Sequence, residues 1–207
     1  MTLGRYIALE GAEGCGKSTQ AALLATDLGA VLTRETGGTA IGQRIRDLLH
    51  DTSVTDLAPR AEALLTAADR AQHLEQVVVP ALSSGRHVVS DRSVYSTLAY
   101  QGFGRGLDVS EIRAINEWAV GGHWPELVVL LDAPGPLLQE RIAGRELDRF
   151  ELEHPDFHAR VRDGFRRMAA DDPEHWVVID ASADPDTVAA HIRAHVTGRL
   201  GLAPWEP

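Results

Sequence analysis

The chain has 207 residues and a formal net charge of -10, long enough for a sizeable core and too acidic for sequence-independent nucleic-acid binding. Its single cysteine, Cys15, excludes an intrachain disulfide and fits a reducing compartment. No apolar run approaches membrane length and no signal-peptide pattern opens the chain, so a cytoplasmic protein with neither membrane nor nucleic acid among its partners is expected.

Residues 5–10, RYIALE, lead into a glycine-rich stretch at 11–19 and then into QAALLATDLG, a pattern of strand, tight loop and helix closed by Gly29. AVLTRET at 30–36, RHVVSDR at 86–92, WPELVVLLDA at 124–133 and HWVVIDA at 175–181 read as further strands. The run from Leu127 to Leu131 suits burial on both faces of a sheet. Residues 39–50, 58–85, 110–122 and 135–144 carry apolar residues at helical spacing. Strands alternating with helices imply an α/β fold, a parallel β-sheet covered by helices on both faces. No linker divides the chain, so 1–207 reads as a single domain; its tail, LGLAPWEP, reads as a loose or docked end.

Gly11, Gly14, Gly16, Lys17 and Ser18 match G-x-x-x-x-G-K-[ST] after a strand and before a helix, the setting a phosphate-binding loop requires. Backbone N–H groups of Gly11, Ala12, Glu13, Gly14, Cys15, Gly16, Lys17, Ser18 and Thr19 would cradle a nucleotide's phosphates at a helix N-terminus. Lys17 would reach the β and γ phosphates and Ser18 would hold Mg²⁺, with Cys15 a small filler. Such a loop serves switches, motors and kinases alike. Glu13 puts a carboxylate inside it.

Asp91 and Arg92 fall at the carboxyl end of a strand, where open α/β sheets bind ligands. Asp91 could reach Mg²⁺ through water, and Arg92 could grip a phosphate bidentately. Arg46 and Arg70 lie on helices, where each taken singly reads equally as part of a solvated face. The segment 141–168 mixes arginines with acids and reads as an exposed helix, unless Arg141, Arg145 and Arg149 belong to a mobile cover, about 141–153, that meets the γ phosphate. The nine histidines are scattered, without metal-ligand spacing.

In order, EGAEGCGKST, RETGGT, ADRAQH, DRSVYSTLAYQG, GRG, PELVVLLD and ELDRFE resemble the motifs of bacterial thymidylate kinases over nearly the whole chain. The resemblance implies a P-loop kinase fold with a short mobile lid, ATP and dTMP as substrates with Mg²⁺, and a homodimer. It also implies that Arg92 and Arg46 hold the dTMP phosphate, that Arg70 bonds the thymine edge, and that Ser96, Thr97, Tyr100 and Gln101 line the nucleoside pocket. Glu35 is expected near the acceptor phosphate and metal. Arg149, with Arg145 as second candidate, is expected at the donor phosphates, in a layout where the lid carries the arginine and the loop carries Glu13. That carboxylate is expected to face the acceptor's sugar and the lid arginines.

The chain departs from the pattern at Thr66, where the family has a phenylalanine that stacks on thymine, and at Thr36, where it has proline. Tyr95 is a candidate to refill the pocket. A monophosphate kinase of different base preference, or a catalytically silent nucleotide-binding regulator, remain the alternatives.

Overall fold

The structure, a computed structural model, describes residues 3–202. Five parallel strands lie in the order β2-β3-β1-β4-β5, with β1 Tyr6–Glu10, β2 Val31–Arg34, β3 Val88–Asp91, β4 Leu127–Asp132 and β5 Trp176–Asp180. All five fall within the apolar runs read above. Residues alternate between the faces, as the two-residue period of a strand demands. Tyr6, Val88, Val128, Leu130 and Trp176 join one core, while Ile7, Leu9, Val89, Leu127, Val129, Leu131 and Ile179 join the other.

On one side the sheet packs against α1 (Lys17–Leu28) and α9 (Pro185–Leu200), and on the other lie α3 (Pro59–His73), α5 (Val94–Thr97) and α8 (Pro155–Asp171). Helix α9 is not among the elements that the apolar runs pick out; its signals are an Asp184 cap, Pro185 in the first turn and Gly201 at the close. Of the tail beyond it, residues 203–207 lie outside the described residues.

The helix expected over 58–85 has a change of pitch. Helix α3 passes through a π turn, Leu74–Val78, into α4 (Val79–Ser83). Pro80 lacks an N–H and its ring crowds the carbonyl four residues back, so the wider turn falls beside it. A second π turn, Leu98–Gly104, extends α5 and carries Tyr100 and Gln101. Helices α2 (Ala40–His50) and α6 (Val109–Val120) pack along α3.

The mixed-charge stretch 141–168 is not one exposed helix. It ends α7 (Gly135–Ile142), runs irregularly through 143–154, and restarts at Pro155 as α8, which buries Phe157, Val161 and Phe165. Gly144, at φ 82, lets the chain turn where a longer helix would have continued.

Candidate active site

The chain reverses its direction of winding at β1, with β3 on one side and β4 on the other, so the loops after β1 and β3 open a crevice at the strands' carboxyl ends. The first is the glycine loop. Gly14, at φ 78, has its Cα so close to α7 that an added Cβ would meet the Leu138 carbonyl oxygen at 2.7 Å, so glycine alone fits. Lys17 starts α1 and arches back, its Nζ donating to the Ala12 oxygen at 2.8 Å and lying 3.5 Å from the buried Cys15 sulfur. Ser18 Oγ is 2.5 Å from the Asp91 carboxylate.

The loop after β3 begins at Arg92, whose φ of 72 is unusual for a residue with a side chain. Backbone of this kind costs on the order of 1–3 kcal/mol and persists where surrounding bonds over-determine it. Here Arg92 N bonds Leu9 O at 2.9 Å, and Ser90 Oγ donates to Arg92 O at 2.7 Å. Glu10, fully buried at the end of β1, accepts from Ser93 N (2.8 Å), Ser93 Oγ (2.7 Å), Ser96 N (3.2 Å) and Ser96 Oγ (2.6 Å). Burial pushes the Glu10 carboxyl up, against the pull of Arg92 and the serines.

Arg92 reaches back across the crevice. Its guanidinium donates to Glu13 Oε1 (2.7 Å), the Gly11 carbonyl (3.2 Å), Ser96 Oγ (3.1 Å) and Tyr100 Oη (3.2 Å). Tyr100 Oη in turn lies 2.6 Å from both oxygens of Glu13. Burial alone would raise the Glu13 carboxyl, but Arg92, then Lys17 and the Tyr100 hydroxyl outweigh it and hold it below the usual carboxylate range. Glu13 therefore pairs with Arg92; among the described residues no lid arginine bonds it, although Arg145 lines the same cleft.

Three recesses run side by side here, the first two meeting at this pair. The first, with about 480 Å³ of open space, includes Thr66, Arg70, Thr97, Gln101, Tyr100 and Phe150 in its walls. The second, about 780 Å³ and strongly polar, lies among Lys17, Ser18, Arg34, Arg46, Asp91 and Arg145. Glu13, Glu35, Arg46, His50 and Arg92 belong to both. The third, about 540 Å³, is flanked by Gly14, Gly16, Lys17, Ser18, Thr19 and Arg145, and shares Arg145 with the second.

Arg46 is the cation to notice in the middle recess. Among the described residues it bonds only the Thr36 carbonyl, at 3.3 Å, and pairs with no carboxylate. Burial, then the neighbouring Arg34 and Arg92, depress its basicity, the electrostatic mark of cations gathered for an anion.

In the first recess Arg70, 2% exposed, is held from every side. Nε bonds Glu35 Oε2 (2.9 Å), Nη2 bonds Thr97 Oγ1 (2.9 Å) and Ser93 O (3.2 Å), and Nη1 bonds Asn116 Oδ1. Four of the five guanidinium N–H groups are thus engaged and one is left. Glu35, in the wall of both the first and second recesses, is a buried anchor for Arg70, and it also lies 3.0 Å from His73 Nδ1. The Glu35–Thr36 peptide bond is cis. Gln101 donates to Glu62 at 2.8 Å, and the Thr66 hydroxyl is spent on Ala63 O at 2.8 Å. Tyr95 does not refill the pocket; its ring packs against Trp176, with centroids 4.7 Å apart, in the core.

The two lid arginines part company. Arg145 flanks the phosphate loop and pairs with Glu151, at 3.2 Å through Nη1. Arg149 turns the other way, donating to Leu49 O (2.7 Å) and Glu62 Oε2 (2.7 Å), so the residue expected first at the donor phosphates is tied to α2 and α3. Arg141, the third, anchors on Ala181 O at 2.9 Å. Glu10, Glu62, His50, Asp148 and Phe150 were not singled out by residue type or spacing. Only Glu10 and Phe150 carry a local signal, one ending the strand before the glycine loop and the other following the lid arginine.

A P-loop fold whose glycine loop faces a cleft lined by Arg46 and Arg92, with a recess of about 480 Å³ beside it, has the layout of a kinase of nucleoside monophosphates. A family model described as thymidylate kinase matches residues 9–192. The chain is 46% identical over 209 residues to the thymidylate kinase of Trichlorobacter lovleyi, covering 95% of this chain and 99% of that protein. It is 49% identical over 199 residues to that of Clavibacter sepedonicus, covering 92% and 93%. The crystal structure of thymidylate kinase from Ehrlichia chaffeensis superposes with a TM-score of 0.78 at 29% identity, covering 93% of this chain and 98% of that one. The chain belongs to the thymidylate kinase family.

Proposed function

We propose that this thymidylate kinase, an enzyme of dTMP phosphorylation in nucleotide biosynthesis, divides its substrates among the three recesses, with the nucleoside of dTMP in the first, the meeting phosphates in the second and the ATP phosphates in the third. The observation that carries this reading is the unpaired Arg46 facing Lys17 and Ser18 across one cleft. Arg46 and Arg92 hold the acceptor phosphate, Arg70 offers its remaining N–H to the thymine edge, and the glycine loop with Lys17 holds the donor.

An oxygen of the dTMP phosphate then forms a bond to the γ phosphorus as the bond to the β-bridging oxygen breaks, giving dTDP and ADP. The attacking phosphate is already anionic, so no residue need remove a proton. Lys17, Arg92 and Arg145 offset charge on the transferred group. Glu13 and Tyr100 fix Arg92, and Ser96 supports it from below.

The Ser18 hydroxyl and Asp91 carboxylate form a hard oxygen pair that suits Mg²⁺, and no cluster of three or more His, Cys, Asp or Glu occurs among the described residues to hold an ion unaided. Mg²⁺ bound there would neutralise phosphate charge, its remaining ligands coming from phosphate and water. The segment 143–154 is a lid, with Arg145 on the donor side. The chain acts as one domain, a reading supported by the continuous sheet, and a cytoplasmic location is proposed with it; among the described residues no helix is long and apolar enough to cross a membrane.

A homodimer is proposed through the faces of α3 and α6. Leu64 and Trp118 are 55% and 85% exposed there, beside Ala68 and Ile115, an apolar patch a lone chain would leave wet. The function is tested by a coupled assay of dTMP against dUMP, dCMP, dGMP and dAMP with ATP. The reading predicts the highest kcat/KM for dTMP; a higher value for another monophosphate would make Thr66 the mark of a changed base preference.

A further inference from the structure

We propose that Phe150, carried by the lid segment, is the aromatic wall against which the thymine ring packs, replacing the ring that α3 lacks at Thr66. This rests on the assignment of the first recess to the acceptor nucleoside.

A pyrimidine offers two π faces, which the hydroxyls, carboxylates and guanidinium groups around the recess leave without an apolar partner. Thr66 has no ring and Tyr95 lies in the core. Three aromatic rings remain at the recess, Tyr100, Phe150 and the smaller imidazole of His50, which is tied to Asp148. The Tyr100 hydroxyl is bonded to Glu13 and Arg92, which fixes its ring beside that ion pair, while Phe150 has no polar atom to tie it there. Phe150 is 8% exposed, set edge-on to Tyr100 at 5.9 Å and to His50 at 5.3 Å.

The neighbouring residues deliver the ring to this spot. Arg149 bonds Leu49 O and Glu62 Oε2, and its guanidinium lies 4.7 Å from the Phe150 ring centroid. Glu62 stands one helical turn before Thr66 on α3, so the lid is pinned beside the place that the threonine leaves open. Asp148 accepts from the backbone N–H of Phe150 (2.9 Å) and pairs with His50 (2.7 Å), pinning the segment to α2 as well. Because Arg145 rides on the same segment, a base stacked on Phe150 also steadies the donor-side arginine.

Steady-state kinetics with varied dTMP at saturating ATP, for the wild type, Phe150→Leu, Thr66→Phe/Phe150→Leu and Arg46→Ala, test this. Leucine keeps the apolar volume, and an unchanged melting temperature checks that the fold survives. Phe150→Leu is expected to raise the dTMP KM roughly tenfold, the scale of losing one base–aromatic stack. The added Thr66→Phe is expected to restore it to within about threefold of wild type, since a ring from either side then serves. A loss in kcat with dTMP KM unchanged in Phe150→Leu, while Arg46→Ala raises that KM, overturns the proposal and leaves the recess assignment standing. An unchanged KM in Arg46→Ala as well overturns the recess assignment itself.

Discussion

Arg92 and Glu13 form an ion pair of 2.7 Å that joins the loop after β3 to the phosphate loop after β1. Because the Tyr100 hydroxyl also bonds Glu13, the arginine proposed to grip the acceptor is held in place by the loop proposed to hold the donor. A charge-assisted bond of this kind contributes on the order of 1.5–3 kcal/mol. Glu13→Gln should therefore lower kcat/KM for dTMP roughly 10- to 100-fold. The double-mutant cycle with Arg92→Lys should give a coupling of about 1–3 kcal/mol. Strictly additive losses would show that the pair does not act as a unit.

Among the described residues Lys17 has no carboxylate partner, and its Nζ is held by a backbone carbonyl. Lys17→Ala should reduce kcat by at least about 100-fold, because a preorganised cation at the transferred phosphate is lost. Circular dichroism should report an intact fold. Near-normal turnover in the folded variant would remove Lys17 from the mechanism.

The strands and the glycine loop were legible because their signals are local: apolar runs suited to burial on both faces, and glycines needed where backbone meets backbone. The division of labour between Arg145 and Arg149 was not legible. The two lie four residues apart in one charged stretch, and each is sorted by a partner the spacing does not reveal, Glu151 nearby and Glu62 far away on α3. Glu62 itself stands among alanines and reads as a solvated helix position, yet it is fully buried because Gln101, Arg105 and Arg149 converge on it. Thr66 looked like a gap in the pocket. What stands beside that gap, Phe150, comes from a segment more than 80 residues away and becomes visible only once the lid is folded down.

The Asp148 carboxyl is held at about 2 from an ordinary 3.8, burial opposing and the His50 bond with backbone N–H groups prevailing. A depressed carboxyl adds stability that is full above the unfolded value and disappears as pH falls through the folded one. The contribution is no more than roughly 2 kcal/mol. Asp148→Asn should lower the melting temperature at pH 6, and the gap to wild type should close as pH falls from 4 toward 2. A gap that stays constant over that range would place the effect outside this ion pair.

Trp118 is the most exposed large apolar side chain in the α3 and α6 patch. Trp118→Glu should shift sedimentation equilibrium from dimer toward monomer at micromolar concentration. A monomeric wild type would contradict the dimer.

Arg145 against Arg149 tests the account most directly. With Arg145 beside the glycine loop, proposed as the donor side, and Arg149 tied to Leu49 and Glu62, the two alanine variants should fail in different ways. Arg145→Ala should lower kcat by roughly 10- to 1000-fold with the dTMP KM within about twofold of wild type. Arg149→Ala should instead raise the dTMP KM by about tenfold or more, with a smaller change in kcat. The reverse pattern, kcat lost in Arg149→Ala and KM raised in Arg145→Ala, would contradict the account.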